Sequence, residues 1–148
     1  MAFFILSASL YGQGDRFNKW YFGNRAGLDF NTSPPTVLTD SKMNTYEGSA
    51  SISDDNGKLL FYTNGDSIWN SDHDPMLNGY GLKGHSSSTQ SCLITSYPGN
   101  TDKYYLFTSD QASNYDGLHY SIIDMTLDNE KGGVDSTIKN IMLTDSVS

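Results

Sequence analysis

A chain of 148 residues is long enough for one domain with a real core, since at this length folding buries roughly 70% of the surface the unfolded chain exposes. Nine basic residues stand against seventeen acidic ones, a net charge of −8, so the basic stripe that phosphate-backbone binding requires is missing and no nucleic-acid partner is expected. Only 18% of residues are charged while 13% are aromatic, ten of them Tyr, which excludes a disordered acidic tail and a coiled coil and reads as all-β and secreted. The single cysteine, Cys92, makes neither an internal disulfide nor a zinc site by itself.

Phe3-Phe4-Ile5-Leu6 runs into Ser7-Ala8-Ser9-Leu10-Tyr11-Gly12, an apolar stretch of about ten residues. That is too short to cross a bilayer about 30 Å thick as a helix and has the length of a signal-peptide core. Residues 1–13 are therefore read as a signal peptide cleaved after Gly12; no Lys or Arg precedes Phe3, as in a truncated one. A buried amino-terminal strand is the other reading. With no cysteine nearby, no lipid anchor is expected, and no membrane span is expected anywhere.

From Trp20 onward short β-rich runs alternate with Gly, Asn, Asp and Pro, without helical periodicity. The runs are Trp20–Phe22, Gly27–Phe30, Ser49–Ser53, Leu59–Thr63, Ser67–Trp69, Ser91–Ser96, Tyr104–Thr108, Leu118–Asp124 and Ile138–Leu143. Laying Trp20–Asn31 on Leu59–Asn70 gives an offset of 39 residues, and laying Phe61-Tyr62-Thr63 on Leu106-Phe107-Thr108 gives 45. Both fall near the repeat of a four-stranded propeller blade. The turns agree: Asp54-Asp55-Asn56-Gly57 can cap its own backbone with Asx side chains while Gly57 takes a positive φ, and Tyr97 to Asp102 is its counterpart one copy later. Residues 14–148 are thus expected to form about three four-stranded antiparallel blades of the WD40 or YVTN type. Propellers close with four to eight blades, so such a β-propeller is incomplete and is expected to continue past Ser148. Trp20, Phe22, Phe61, Trp69 and Phe107 are expected to pack between blades, with Trp20, Phe61 and Phe107 buried.

Asn18-Lys19-Trp20-Tyr21-Phe22-Gly23-Asn24, Ala26 to Asn31, Glu47 to Asp54, Gly57 to Thr63 and Ser86 to Ser91 resemble the beginning of large secreted Bacteroidetes proteins. Those proteins end in a type IX secretion, type B (gliding-motility-associated) sorting domain. The resemblance covers Asn18 to Leu143. It implies an exported propeller, handed to the type IX machinery by a carboxy-terminal domain outside this sequence and held at the cell surface or released.

No motif carries a reaction. Ser53-x-Asp55-x-Gly57 is a partial Asp-box, a turn device of sialidase-type propellers that lies away from catalysis. Asn70-Ser71-Asp72-His73-Asp74 spaces oxygens like a calcium loop, but Pro75 stands where the Gly should be and Gly81 where the Glu should be. Ser86-Ser87-Ser88 lacks a nucleophile elbow, and His85 and His119 have no triad spacing. Cys92 sits in an alternating run as a small buried hydrophobe. Asp66-Ser67-Ile68, Asp135-Ser136-Thr137 and Asp145-Ser146-Val147 resemble O-glycan acceptors of such exported proteins. The expectation is a non-catalytic surface module for binding or adhesion, without metal or cofactor, whose partner is an extracellular glycan or protein. The alternative is a secreted glycosidase working through a carboxylate pair drawn from residues such as Asp29, Glu47 and Asp110.

Overall fold

The computed structural model describes residues 14–110 and 117–144. Sheet 1 comprises β1 (Lys19–Phe22), β2 (Ala26–Asp29) and β3 (Thr36–Leu38) in that order. Sheet 2 is β4 (Ala50–Ser53), β5 (Leu59–Thr63) and β6 (Ile68–Asn70). Sheet 3 runs β7 (Cys92–Ser96), β8 (Lys103–Ser109), β9 (Leu118–Asp124), and the free edge of β9 takes two short strands in tandem. β10 (Gly133–Val134) pairs with Ile123 and Asp124 there, and β11 (Ile141–Thr144) with Leu118 to Tyr120. Every pairing is antiparallel.

All nine runs read from the sequence contain a strand, and the chain is all-β. The described sheets close into neither a barrel nor a ring. Sheets 1 and 2 hold three strands rather than the expected four. The outer edge of β6 is instead covered by the returning connection, where Met76 N–H donates to the Ile68 carbonyl and Ile68 N–H to that of Gly79, 2.9 and 2.8 Å. β3 and β10 are too short, three and two residues, to carry a periodic signal.

The first strands of the three sheets, β1, β4 and β7, lie side by side with β4 in the middle, and the sheets fan out from them. Sheet 2 is therefore enclosed on both faces. Toward sheet 1, Tyr62 and Leu59 meet Tyr21 and Met43; toward sheet 3, Ile52, Phe61 and Ile68 meet Ile94, Tyr104, Leu106, Ile123 and Val134. A register shift between Ile52 and Ser53 sets this up. A bulge turns two consecutive residues to one side, so Leu60 joins Phe61 in the cluster facing sheet 3 while Leu59 joins Tyr62 in the one facing sheet 1.

Two sequence alignments are corrected by this arrangement. The 39-residue offset lays β1 on β5, a first strand on a second, because aromatic density is alike in both. The 45-residue offset equates Phe61 with Leu106, yet the two enter the same interface from opposite sheets. Burial also departs from expectation. Phe61 is fully buried, Trp69 and Phe107 are half-buried, and Trp20 and Phe22 are 51% and 38% exposed. The cause is strand alternation: Tyr21 takes the face toward sheet 2, so both of its neighbours must point away.

Candidate functional site

The exposed β1 aromatics line a groove of about 560 Å³ across the three first strands. Phe17, Trp20 and Phe22 form one wall, Ser49, Ala50 and Ser51 the floor, and Cys92 and Leu93 the other side. Trp20 is held in place: its indole N–H donates to the Phe17 carbonyl at 2.7 Å, and its ring packs on Phe30 with centroids 4.9 Å apart. Leu93 is 62% exposed. The polar groups of the floor are already engaged. The Ser51 hydroxyl donates to the Lys19 carbonyl at 2.7 Å and accepts the Tyr21 N–H at 3.3 Å, stitching β4 to β1. The Cys92 thiol points to the Thr63 carbonyl at 3.7 Å, and burial pushes its pKa up to about 12, which removes the thiolate a nucleophile needs. The groove can hold an apolar or ring surface, and nothing in its wall abstracts a proton.

Behind this wall lies a polar network that sequence reasoning missed, since its members are 52 residues apart at the extremes. Tyr21 Oη donates to Asp40 at 3.1 Å, His73 Nε2 lies 3.2 Å from the same carboxylate, and His73 Nδ1 is 3.1 Å from Tyr62 Oη. A carboxylate only accepts, so in the neutral ring Nε2 carries the hydrogen and Nδ1 accepts from Tyr62. Tyr62 Oη in turn accepts the Lys42 N–H at 3.0 Å. The rings of Tyr21 and Tyr62 stack at 4.6 Å, and Trp69 stacks on Tyr62 at 5.5 Å. Burial raises the pKa of both phenols, and Asp40 adds to the effect at Tyr21. Tyr62 has no exposed surface and its hydroxyl is satisfied. The Asp-His-Tyr chain thus clamps sheet 1 to sheet 2.

The other candidates resolve into turns and ties. Asp54 Oδ1 accepts the N–H groups of Asn56 and Lys58, both at 2.9 Å, and Gly57 has φ 74° with its carbonyl accepting from Asn31 at 3.0 Å. Asp55 does more than turn the chain: it pairs with Arg16, whose other nitrogen donates to Ser96 Oγ at 2.9 Å, so one guanidinium ties the segment before β1 to the hairpins of sheets 2 and 3. In Asn70–Asp74 the Asn70 side chain accepts the N–H of Asp72 and of Asp74, and Asp72 pairs with Lys131 at 2.8 Å. Among the described residues no three metal-ligating side chains come together. Asp29 pairs with Lys19 at 2.5 Å and Glu47 accepts from Thr89 at 3.1 Å. The His85 ring accepts the Ser87 N–H at 3.1 Å, and His119 is buried inside sheet 3. The amino-terminal stretch and Asp145-Ser146-Val147 lie outside the described residues.

No protein-family profile, curated protein or solved structure matches this chain.

Proposed function

We propose that the three sheets are an arc of a β-propeller and that the chain is a non-catalytic, secreted or cell-surface module for binding and adhesion. The observation that carries this reading is the groove across β1, β4 and β7: three exposed aromatic rings, a floor of small residues, and no unengaged acid, base or nucleophile. Rigid sheets presenting an aromatic groove where first strands converge suit recognition, because the rings contribute contact area at small entropic cost. Its ligand on this reading is an extracellular glycan or protein. Export by the type IX route and an association with gliding motility rest on the resemblance of Asn18–Asn24 and the segments that follow it.

A propeller glycosidase would need two facing carboxylates about 5 Å, or 6.5 to 9.5 Å, apart. The ties of Asp29 to Lys19 and of Glu47 to Thr89 favour the binding reading over that one. A panel of extracellular glycans and surface proteins probes it directly. Trp20→Ala should lower affinity for the retained ligand roughly tenfold or more, as loss of a buried aromatic anchor does, with the fold intact. Glycan turnover that disappears in Asp29→Asn or Glu47→Gln while the fold persists would replace this reading with the enzyme.

A further inference from the structure

We propose that the Asn56-Gly57 peptide is a covalent modification site, at which the backbone itself converts asparagine to aspartyl and isoaspartyl forms, and that the fold protects the two other Asn-Gly pairs from the same reaction. The inference does not rest on the binding reading.

The chain contains Asn56-Gly57, Asn64-Gly65 and Asn78-Gly79. A glycine after asparagine removes the Cβ that would crowd the approach of its amide nitrogen to the asparagine Cγ. By sequence the three pairs are equal, and their surroundings separate them. Asn64 is 8% exposed. Its side-chain oxygen accepts the N–H groups of Asp66 and Ser67 at 3.1 and 2.9 Å, and its backbone carbonyl accepts the Ser91 hydroxyl at 2.8 Å. The Gly65 carbonyl accepts the Gly84 N–H at 3.0 Å, so this pair is fixed from two other segments. Asn78 Nδ2 donates to the Val134 carbonyl at 3.3 Å, and the Asn78 carbonyl accepts from Lys139 Nζ at 2.9 Å. Gly79 is buried, its carbonyl bound by Ile68 N–H along the covered edge of β6.

Asn56 has none of these restraints. It is exposed in the turn between β4 and β5, and among the described residues its side-chain amide makes no hydrogen bond. Asn31 holds the Gly57 carbonyl at 3.0 Å, so the glycine is positioned while the asparagine side chain is free to turn toward it. The Gly57 N–H donates to the Asp54 carbonyl at 3.0 Å within the same turn, and opening that bond frees the nitrogen without disturbing a sheet. Exposed loop tips open locally at the smallest free-energy cost in a fold.

The Gly57 nitrogen gives its proton to water and attacks Asn56 Cγ. The new N–Cγ bond closes a cyclic imide as the Cγ–Nδ2 bond breaks, and the leaving nitrogen takes up a proton and departs as ammonia. Water then opens the imide at either carbonyl. One opening restores the ordinary peptide with an aspartyl side chain; the other leaves the chain running through the side chain, with a free α-carboxylate. Both products add a negative charge beside Asp54 and Asp55, where Arg16 is already paired with Asp55. The isoaspartyl form also lengthens the backbone inside the turn that Asp54 Oδ1 caps through the N–H groups of Asn56 and Lys58. The reaction therefore acts on the corner where the sheet 2 hairpin meets Arg16 and Asn31.

Incubating the folded chain at neutral and mildly alkaline pH, followed by peptide mapping with tandem mass spectrometry and isoaspartyl methyltransferase labelling, tests this. Product should accumulate at Asn56 first and faster at the higher pH, with Asn64 and Asn78 behind by roughly tenfold or more, as protection by local structure implies. The same chain unfolded in urea should react at all three pairs at comparable rates. Asn56→Gln should abolish the early product and leave the circular dichroism spectrum unchanged. Equal rates at the three pairs in the folded chain, earlier product at Asn64 or Asn78, or a folded chain that stays unmodified at Asn56 while the unfolded chain reacts there would overturn the proposal. The unaltered chain alone decides between these outcomes, whatever the stability of the variant.

Discussion

Trp20 and Tyr21 are neighbours of nearly equal size with opposite surroundings, the first half exposed in the groove and the second 3% exposed against Tyr62. Both were legible in the sequence as aromatic residues of a strand. Which of them faces the next sheet was not, because aromatic residues at consecutive positions erase the period-two pattern that would assign the faces. The turn residues were legible for the converse reason: Asp54 and Gly57 work through local backbone chemistry, and the structure shows those same bonds. The Tyr62 hydroxyl, donating to His73 and accepting from Lys42, is the residue-scale test. Tyr62→Phe leaves a buried acceptor and a backbone N–H without partners, which costs about 1–3 kcal/mol and should lower the denaturant midpoint without altering the slope. A midpoint equal to that of the unaltered protein would remove the clamp from the account.

At the scale of elements, the strands were readable and their stacking was not. β5 reads as a continuous apolar run, Leu59-Leu60-Phe61-Tyr62, and such a run says only that both faces are covered. The bulge opposite Ile52 and Ser53 decides which leucine goes where, and bulges leave no mark in composition. The contact between β1 and β4 depends on one hydroxyl, Ser51, which serves a β1 carbonyl and a β1 N–H together. Ser51→Ala should cost about 1–2 kcal/mol, the penalty for leaving such groups unpaired. Ser49→Ala, at a floor position with no such bonds to β1, should cost less. Equal losses measured by urea unfolding would mean that this stitch contributes nothing particular.

For the whole molecule, acid removes ties rather than a site. Hydrogen bonds from the hydroxyl and N–H of Thr137 hold the Asp135 carboxyl below its usual range. At Asp29 and Asp124 burial pushes the pKa up, but Lys19 and Asn31 at the first and Thr126 and Lys103 at the second outweigh it, and both end lowered. A carboxyl whose folded pKa lies below its unfolded value, about 3.9, contributes stability that is complete above that value and lost as pH falls through the lowered one. The urea midpoint should therefore hold from pH 7 to about 5 and fall steeply below about 4. Full protonation leaves nine Lys and Arg and three His uncompensated, which acts in the same direction. A midpoint unchanged down to pH 2 would contradict the role given to these carboxylates.

Everything above depends on sheet 2 lying enclosed between sheets 1 and 3, and amide hydrogen exchange resolved by residue reads that enclosure directly. The slowest amides should be those of β5, Leu59 to Thr63, with the inner pairs of β8 and β9 next and Thr36 to Leu38 of β3 fastest among the strands. Exchange in β5 as fast as in β3 would mean that the sheets are not stacked in this order, and the arc and the groove would fall with it.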